Sequence, residues 1–458
     1  METFSLINVG ILAMSTLTGI LIGVLPGIGI VVTMLLFFPL LLSFDLFQCL
    51  MFYLGVTSAS QFSGSVTATT IGVPGEASSW PAVKEGNALF RRGQGDFAIS
   101  SAAMGSVFGA GISALSVIFL LPVFLEVIRT FYNNNVQIII FGIVASIIIF
   151  LNRRVFQNIL LFGLGILLGT IGMNQVPLKL MWKDFLPYDR FPDLYQGLPL
   201  FPVILALFVV PTLINNWGIK FDYNNVDLSF GKLKLVKHIK KYLESFWSGV
   251  RGSAIGSVAG LVPHVTTYLA SNVAYLIEKK IRIKKRSYND QGDIQTLTSA
   301  ETANNSAAFV QLMPLLLIGI PITTSEAILL TILETNSFII NYTTTIETGM
   351  FNELVVWFIA INLISFCLAW PLVRYVNMIY KIPVKILFAI TFAIMLLLLG
   401  YVGAQNYQMW YYFVCFIFLL PLGVLLRKTE TIVVIIAFVL QDKIFAAVTR
   451  ALTIWSIN

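Results

Sequence analysis

Long apolar stretches separated by short polar loops run through the whole chain. Mostly apolar runs of at least about 17 residues, enough for a helix to cross a hydrocarbon core of ~30 Å, lie near 46–73, 97–127, 135–151, 155–172, 199–215, 303–333, 352–371, 384–403, 409–426 and 431–455. Each predicts a membrane-spanning helix. Two further apolar blocks, 9–43 and 249–277, are cut near their middles by proline, in "GVLPGIGIVVT" at 23–33 and "GLVPHVTTYLA" at 260–270. The arms of the second block hold roughly 12 to 14 residues, or ~20 Å at 1.5 Å per residue, too short to span. A re-entrant hairpin is therefore expected in each block.

Composition turns this pattern into a class. Of 458 residues 57% are hydrophobic and 11% charged, and the mean hydropathy is +0.86. No soluble core hides that much apolar surface, so the chain reads as an all-α polytopic membrane protein. The opening residues "METFSLIN" hold no Lys or Arg, and no small-residue cleavage site follows, so the first apolar element is expected to stay rather than be removed as a signal peptide. Cys49, Cys367 and Cys415 sit inside apolar runs without disulfide or metal-ligand spacing. The net charge of +7 resides in short loops, a pattern that orients a membrane protein and argues against nucleic acid as a partner.

Loop charge assigns sides. With "EKKIRIKKR" (278–286) taken as cytoplasmic and each span crossing once, "KLKLVKHIKK" (232–241) falls on the same face. So do Lys84, Arg91, Arg92, Arg153, Arg154, Arg374, Lys381, Lys385, Arg427 and Lys428. The opposite face receives 41–48, 331–353 and 401–409, which carry no Lys or Arg; only 173–200 is mixed. The first broken block then opens outward and the second inward. This predicts two inverted-topology repeats, each with a re-entrant hairpin, an interrupted transmembrane helix and about four further spans. The first repeat is residues 1–215 and the second 249–458; 216–248 forms a basic cytoplasmic linker containing an amphipathic helix at the membrane surface.

An alignment of 55–79 with 302–326 strengthens the repeat. It sets Gly72 on Gly319, Pro74 on Pro321, and Thr57 and Ser58 on Asn304 and Asn305. A polar pair and a Gly-x-Pro break thus share one span in each half, beside a proline-tipped hairpin. Helix breaks in lipid expose backbone groups at several kcal/mol each, so they persist where protein or a wet cavity covers them. Free amides at a half-helix start attract anions, and free carbonyls at a half-helix end hold cations.

The tips Pro26, Gly27 and Gly29, and Pro263 through Thr267, are therefore expected to enclose a midplane substrate site. Thr57, Ser58, Pro74, Gly75, His264, Thr266, Asn304, Asn305, Pro321 and Thr323 would supply its other contacts. Glu76, Glu326 and Ser65 are candidates for a coupling ion, Na+ or H+. Each has a plainer reading: a single Pro-Gly as a kink, His264 as hydrogen-bonded structure, Glu76 as a helix cap. Asp442 and Lys443, in the last apolar segment, read as a local pair or as a turn between two short arms. No catalytic residue, metal ligand or organic cofactor is nominated. The chain has no H-E-x-x-H, "FSGS" at 62–65 lacks the first glycine of a nucleophile turn, and Ser-His chemistry would have to use His264.

At these residues the sequence resembles the large membrane subunit of the tripartite tricarboxylate transporters. The match includes "GVLPGIG" (23–29), "GSVTATTIGVPG" ending at Gly75, "EGNALFRRGQGDFAISSAA" (85–103), "GSVAGLVP" (256–263), "ETANNSAA" (301–308) and "PLLLIGIP" (314–321). The resemblance implies a permease in a bacterial inner membrane that imports citrate-like or other carboxylates down a cation gradient by elevator-type symport. Its partners would be a small four-helix membrane subunit and a periplasmic solute-binding protein. Departures are Pro263-His264 where the family repeats Pro-Gly, Ile322 where it has glycine, and a last segment without the usual glycine and glutamate pattern. Two rivals stand beside this reading: a partner-independent channel or exporter on the same scaffold, and a membrane-embedded enzyme.

Overall fold

A computed structural model of the chain describes residues 5–25, 29–131, 134–150, 154–172, 192–218, 242–263, 266–380 and 383–457. Among the described residues the regular elements are helices, and there is no strand. Among the described residues six helices are long and apolar enough to cross a membrane: Leu6–Val24, Ala82–Glu126, Met350–Leu368, Lys385–Gln405, Met409–Leu426 and Thr431–Thr449. Ile138–Phe150, Val155–Gly169 and Leu200–Asn216 are apolar but shorter. The protein is an all-helical, multi-pass membrane protein.

Two compact units divide the chain, and each takes stretches from both halves of the sequence. The first comprises Met1–Leu121, Ile219–Gly319 and Ile332–Ile386. Here α1 (Leu6–Val24) and the short α2 (Ile30–Leu36) precede α3 (Leu46–Ile71). Helix α4 (Gly95–Phe131) carries Pro122 in its interior, where the first unit ends. Small residues let α1 lie directly on α3: a Cβ on Gly19 would meet the Val56 carbonyl and Ala59, and one on Gly23 would meet Ser60 and Ser63.

Elements from the second half of the sequence pack in the same way. Helices α8 (Phe246–Ala259) and α9 (Thr266–Lys284) pack on α10 (Ile294–Val310). A Cβ on Gly252, Gly256 or Gly260 would meet Ser299, Ala303 or Ala307 respectively. Helix α8 has 14 residues, or ~21 Å, while α1 has 19 and is long enough to cross. Helix α13 (Met350–Tyr380) packs against α3, and Phe358 stacks on Phe309 of α10 with ring centroids 4.4 Å apart.

The broken segments share a backbone device. Helix α3 starts in a capping box between Asp45 and Gln48 and ends at Gly72, which adopts the left-handed conformation at φ 75. The short α11 (Met313–Ile318) ends at Gly319, also left-handed at φ 67. Glycine takes this conformation without a Cβ penalty, and the proline two residues on, Pro74 or Pro321, cannot continue a helix.

Polar loops are tied at one end of this unit. Buried Glu85 accepts hydrogen bonds from the Tyr275 hydroxyl (3.0 Å), the Tyr288 hydroxyl (2.8 Å) and the Asp293 amide (2.7 Å). Burial, with Glu85 alongside, holds the Tyr288 hydroxyl above its ordinary range. Arg282 pairs with Asp293 at 2.9 Å and Arg251 with Glu278 at 2.7 Å.

The second unit comprises Pro122–Gly218, Ile320–Thr331 and Leu387–Asn458. It holds α5 (Asn134–Phe150), α6 (Val155–Gly169), α7 (Leu200–Asn216), the start of α12 (Thr324–Thr335), most of α14 (Val384–Gln405), α15 (Met409–Leu426) and α16 (Thr431–Ile457). Glycine contacts set its packing as well: Gly165 faces the Val434 carbonyl, Gly169 faces Gln441, and Gly423 faces the Ala206 carbonyl. Helix α16 runs through Asp442 and Lys443 unbroken, so that pair does not mark a turn between two arms.

Candidate substrate and ion site

Helices α3 and α10 explain where polar chemistry can reside in so apolar a chain. Helix α3 contains no charged residue and α10 only Glu301. From Cys49 to Thr70 every residue of α3 is buried, and so is every residue of α10 from Thr296 to Val310. Their hydroxyls and amides therefore face protein, not lipid. Several lack a partner: Thr57 Oγ1, Ser58 Oγ, Glu301 Oε1, both side-chain polar atoms of Asn304, and Asn305 Oδ1. Buried polar groups are usually satisfied, and an orphan costs about 1–3 kcal/mol, so a concentration of orphans on two helices marks a place for water, an ion or a polar ligand.

The sequence-nominated residues fall in several places. Pro26, Gly27 and His264 lie outside the described residues, and Thr266 is the first residue of α9. Gly29, Gly75 and Glu76 come together. A Cβ on Gly29 would sit 3.3 Å from Glu76 Oε1. Gly75 packs so closely that a Cβ there would collide with the Gly23 carbonyl at the end of α1. Glu76 precedes the short 77–79 turn and makes no side-chain capping hydrogen bond there. Pro74 belongs to the same break, just after Gly72.

Asn305 Nδ2 donates to the Ser106 hydroxyl at 2.9 Å and to the Glu301 carbonyl at 3.3 Å. Ser65 donates to Glu301 Oε2 at 2.6 Å. Pro321, Thr323 and Glu326 lie in the second unit. There Glu326 Oε2 accepts the Ile322 and Thr323 amides at 2.8 and 3.2 Å, and Thr323 Oγ1 accepts the Glu326 amide at 3.2 Å. That reciprocal pairing is a capping box, legible in the sequence as T-x-x-E.

Two residues were missed. Glu301 is wholly buried, although it precedes the apolar run that begins at 303. Its signal was present, a carboxylate one turn before the Asn pair. Gln61 joins three segments: its amide donates to Thr267 Oγ1 at 3.4 Å and its carbonyl accepts from Ser78, whose backbone carbonyl accepts from Ser271 at 2.7 Å. Nothing in the periodicity marks Gln61. Among the described residues no group of three or more His, Cys, Asp or Glu side chains gathers as a metal site requires.

Comparison with known proteins adds the following. The tripartite tricarboxylate transporter TctA family matches residues 9–437. An Agrobacterium vitis protein described as an "uncharacterized 52.8 kDa protein in TAR-I ttuC' 3'region" is 28% identical over 314 residues, covering 67% of this chain and 59% of its own length. The chain thus spans less than two thirds of that relative. No solved structure matches.

Proposed function

We infer the function from one premise: this chain belongs to the tripartite tricarboxylate transporter TctA family. We propose that it is the large permease subunit of a binding-protein-dependent secondary transporter, importing a small carboxylate with Na+ or H+ across a bacterial inner membrane. The observation that carries this reading is the pair of buried polar helices, α3 and α10, with orphaned donors and acceptors at Thr57, Ser58, Asn304 and Asn305. Hydroxyls and amides of this kind orient a carboxylate by hydrogen bonds. A small four-helix membrane subunit and a periplasmic solute-binding protein complete the proposed assembly, and lipid surrounds its spans.

Two inverted repeats, each with a re-entrant hairpin, are part of the proposal, with elevator-type movement following from that layout. Three observations support the repeat. Gly19 and Gly256, at matched positions, face Val56 and Ala303, which are matched as well; the same holds for Gly23 with Ser60 and Gly260 with Ala307. Gly72 and Gly319, also matched, are both left-handed as the glycine of a Gly-x-Pro. Each compact unit draws on both halves of the chain, as repeats exchanging elements would.

Charge sets a requirement. An anion entering against a negative-inside potential costs about 2.3 kcal/mol per charge per 100 mV; cotransported cations that match the substrate's charge cancel this cost, and an excess lets the potential drive uptake. The test is counterflow in proteoliposomes against labelled mono-, di- and tricarboxylates, with and without Na+ and pH gradients, for wild type and the double variant Asn304→Ala/Asn305→Ala. Gradient-dependent uptake of one carboxylate that disappears in the double variant is expected. Equal uptake by the two proteins would refute the site.

A further inference from the structure

Resting on the transport reading above, we propose that the Glu301 carboxyl, paired with the Ser65 hydroxyl, is a proton-binding site whose proton travels with the substrate. Glu301 is the charged residue of α10, wholly buried and facing the uncharged α3. Helix α4 closes against its stem, since a Cβ on Gly105 would lie 3.3 Å from the Glu301 Cβ. An ionised carboxylate taken out of water without a countercharge is strongly disfavoured.

Among the described residues no basic side chain pairs with it. On α8, Arg251 is held by Glu278 of α9. Of the remaining groups on α9, Arg282 pairs with Asp293, the Tyr275 hydroxyl is bound to Glu85, Lys279 lies over the Tyr288 ring, and Tyr268, Lys280 and Lys284 are exposed. Lys84 stands over the Trp80 and Tyr275 rings. Asp96 and Glu126 of α4 lie near its two ends, away from Gly105.

The hydrogen-bond geometry accommodates two protonation states. Ser65 Oγ lies 2.6 Å from Glu301 Oε2 and 3.3 Å from the Gln61 carbonyl, and it has one proton to donate. When the carboxyl is ionised, Ser65 gives that proton to Oε2. When it is protonated, the Oε2 hydroxyl donates to Ser65, which turns its own proton to the Gln61 carbonyl. Rotation of one hydroxyl thus exchanges two arrangements, which is what reversible loading requires. Glu301 Oε1 has no partner in either.

Coupling follows from position. Asn304 and Asn305 stand one turn further along α10, at the spacing where side chains share a face, and Asn305 donates to the Glu301 backbone carbonyl. An anionic substrate held by these amides is repelled by an ionised Glu301 and tolerated by a neutral one. Substrate and proton therefore bind together, and each raises the affinity for the other.

The experiment has a spectroscopic and a transport arm. Infrared titration of the purified wild type should show a protonated carboxylic acid band that disappears with rising pH, is absent in Glu301→Gln, and changes frequency in Ser65→Ala. In proteoliposomes, protons taken up per citrate by the wild type should be lost in Glu301→Gln, whose residual citrate uptake becomes independent of pH. An unchanged band in Glu301→Gln, or an unchanged proton-to-citrate ratio, would overturn the proposal. So would uptake driven by a sodium gradient alone in every variant. If the band titrates as expected but no carboxylate moves in the wild type, the transport reading fails while the proton site stands.

Discussion

Single residues decide how closely backbones approach. Gly75 shows the limit, because a methyl there would enter the Gly23 carbonyl and also press on Gly64. Gly75→Ala should lower stability by about 1–3 kcal/mol, the usual range for overpacking, read as a lower thermal midpoint in detergent. Gly111 of α4 has nothing within 4 Å of the same position. Gly111→Ala should instead raise stability by about 0.5–1 kcal/mol, since alanine suits a helix interior better. If the two variants moved the midpoint equally, the close approach of the 72–76 break to α1 would be wrong. Glu76 and Glu326 belong at this scale too. The Glu326 carboxyl accepts backbone amides at the start of α12, in a T-x-x-E pattern, whereas only the fold brings Glu76 beside Gly29.

At the scale of elements, periodicity placed most helices closely. The run 409–426 is α15 to the residue, and 352–371, 384–403 and 431–455 lie inside α13, α14 and α16. The reading was weakest where a helix is polar and buried at once. Helix α3 covers most of the run at 46–73 but is polar along one stretch, where Thr57, Ser58, Gln61 and their neighbours face protein, and α10 begins at Ile294, well before the apolar run at 303. The left-handed caps make a matched prediction. Gly72→Ala and Gly319→Ala should each cost about 1–2 kcal/mol, because a Cβ is disfavoured at positive φ. A thermal series in which one is silent would separate the two breaks. The loop ties make another: Tyr288→Phe removes one donor from Glu85 and should speed proteolysis within 285–293, whereas wild-type cleavage rates would show that Tyr275 and the Asp293 amide suffice.

For the whole molecule the question is orientation. In a background with Cys49, Cys367 and Cys415 replaced, Asp45→Cys and Ser287→Cys should label from opposite sides of the membrane. Labelling from one side would end the inverted-repeat proposal, since loop charge is its foundation. The two compact units bear on the same issue. Each is discontinuous in sequence, and the first ends inside α4 at Leu121, beside Pro122, where no loop or change of composition signals a boundary.

Hydropathy, loop charge and the spacing of Gly-x-Pro were enough to determine the all-helical membrane class, most helix bounds and the residues resembling the family. These are local or periodic properties, written along one chain direction. Tertiary structure alone decided which polar residues meet: Ser65 with Glu301, Asn305 with Ser106, Gln61 with Thr267, and Glu85 with Tyr275 and Tyr288. Each pair is far apart in sequence, and its worth comes from removal from water. A buried carboxylate and a solvated one have the same letter, and only packing distinguishes them.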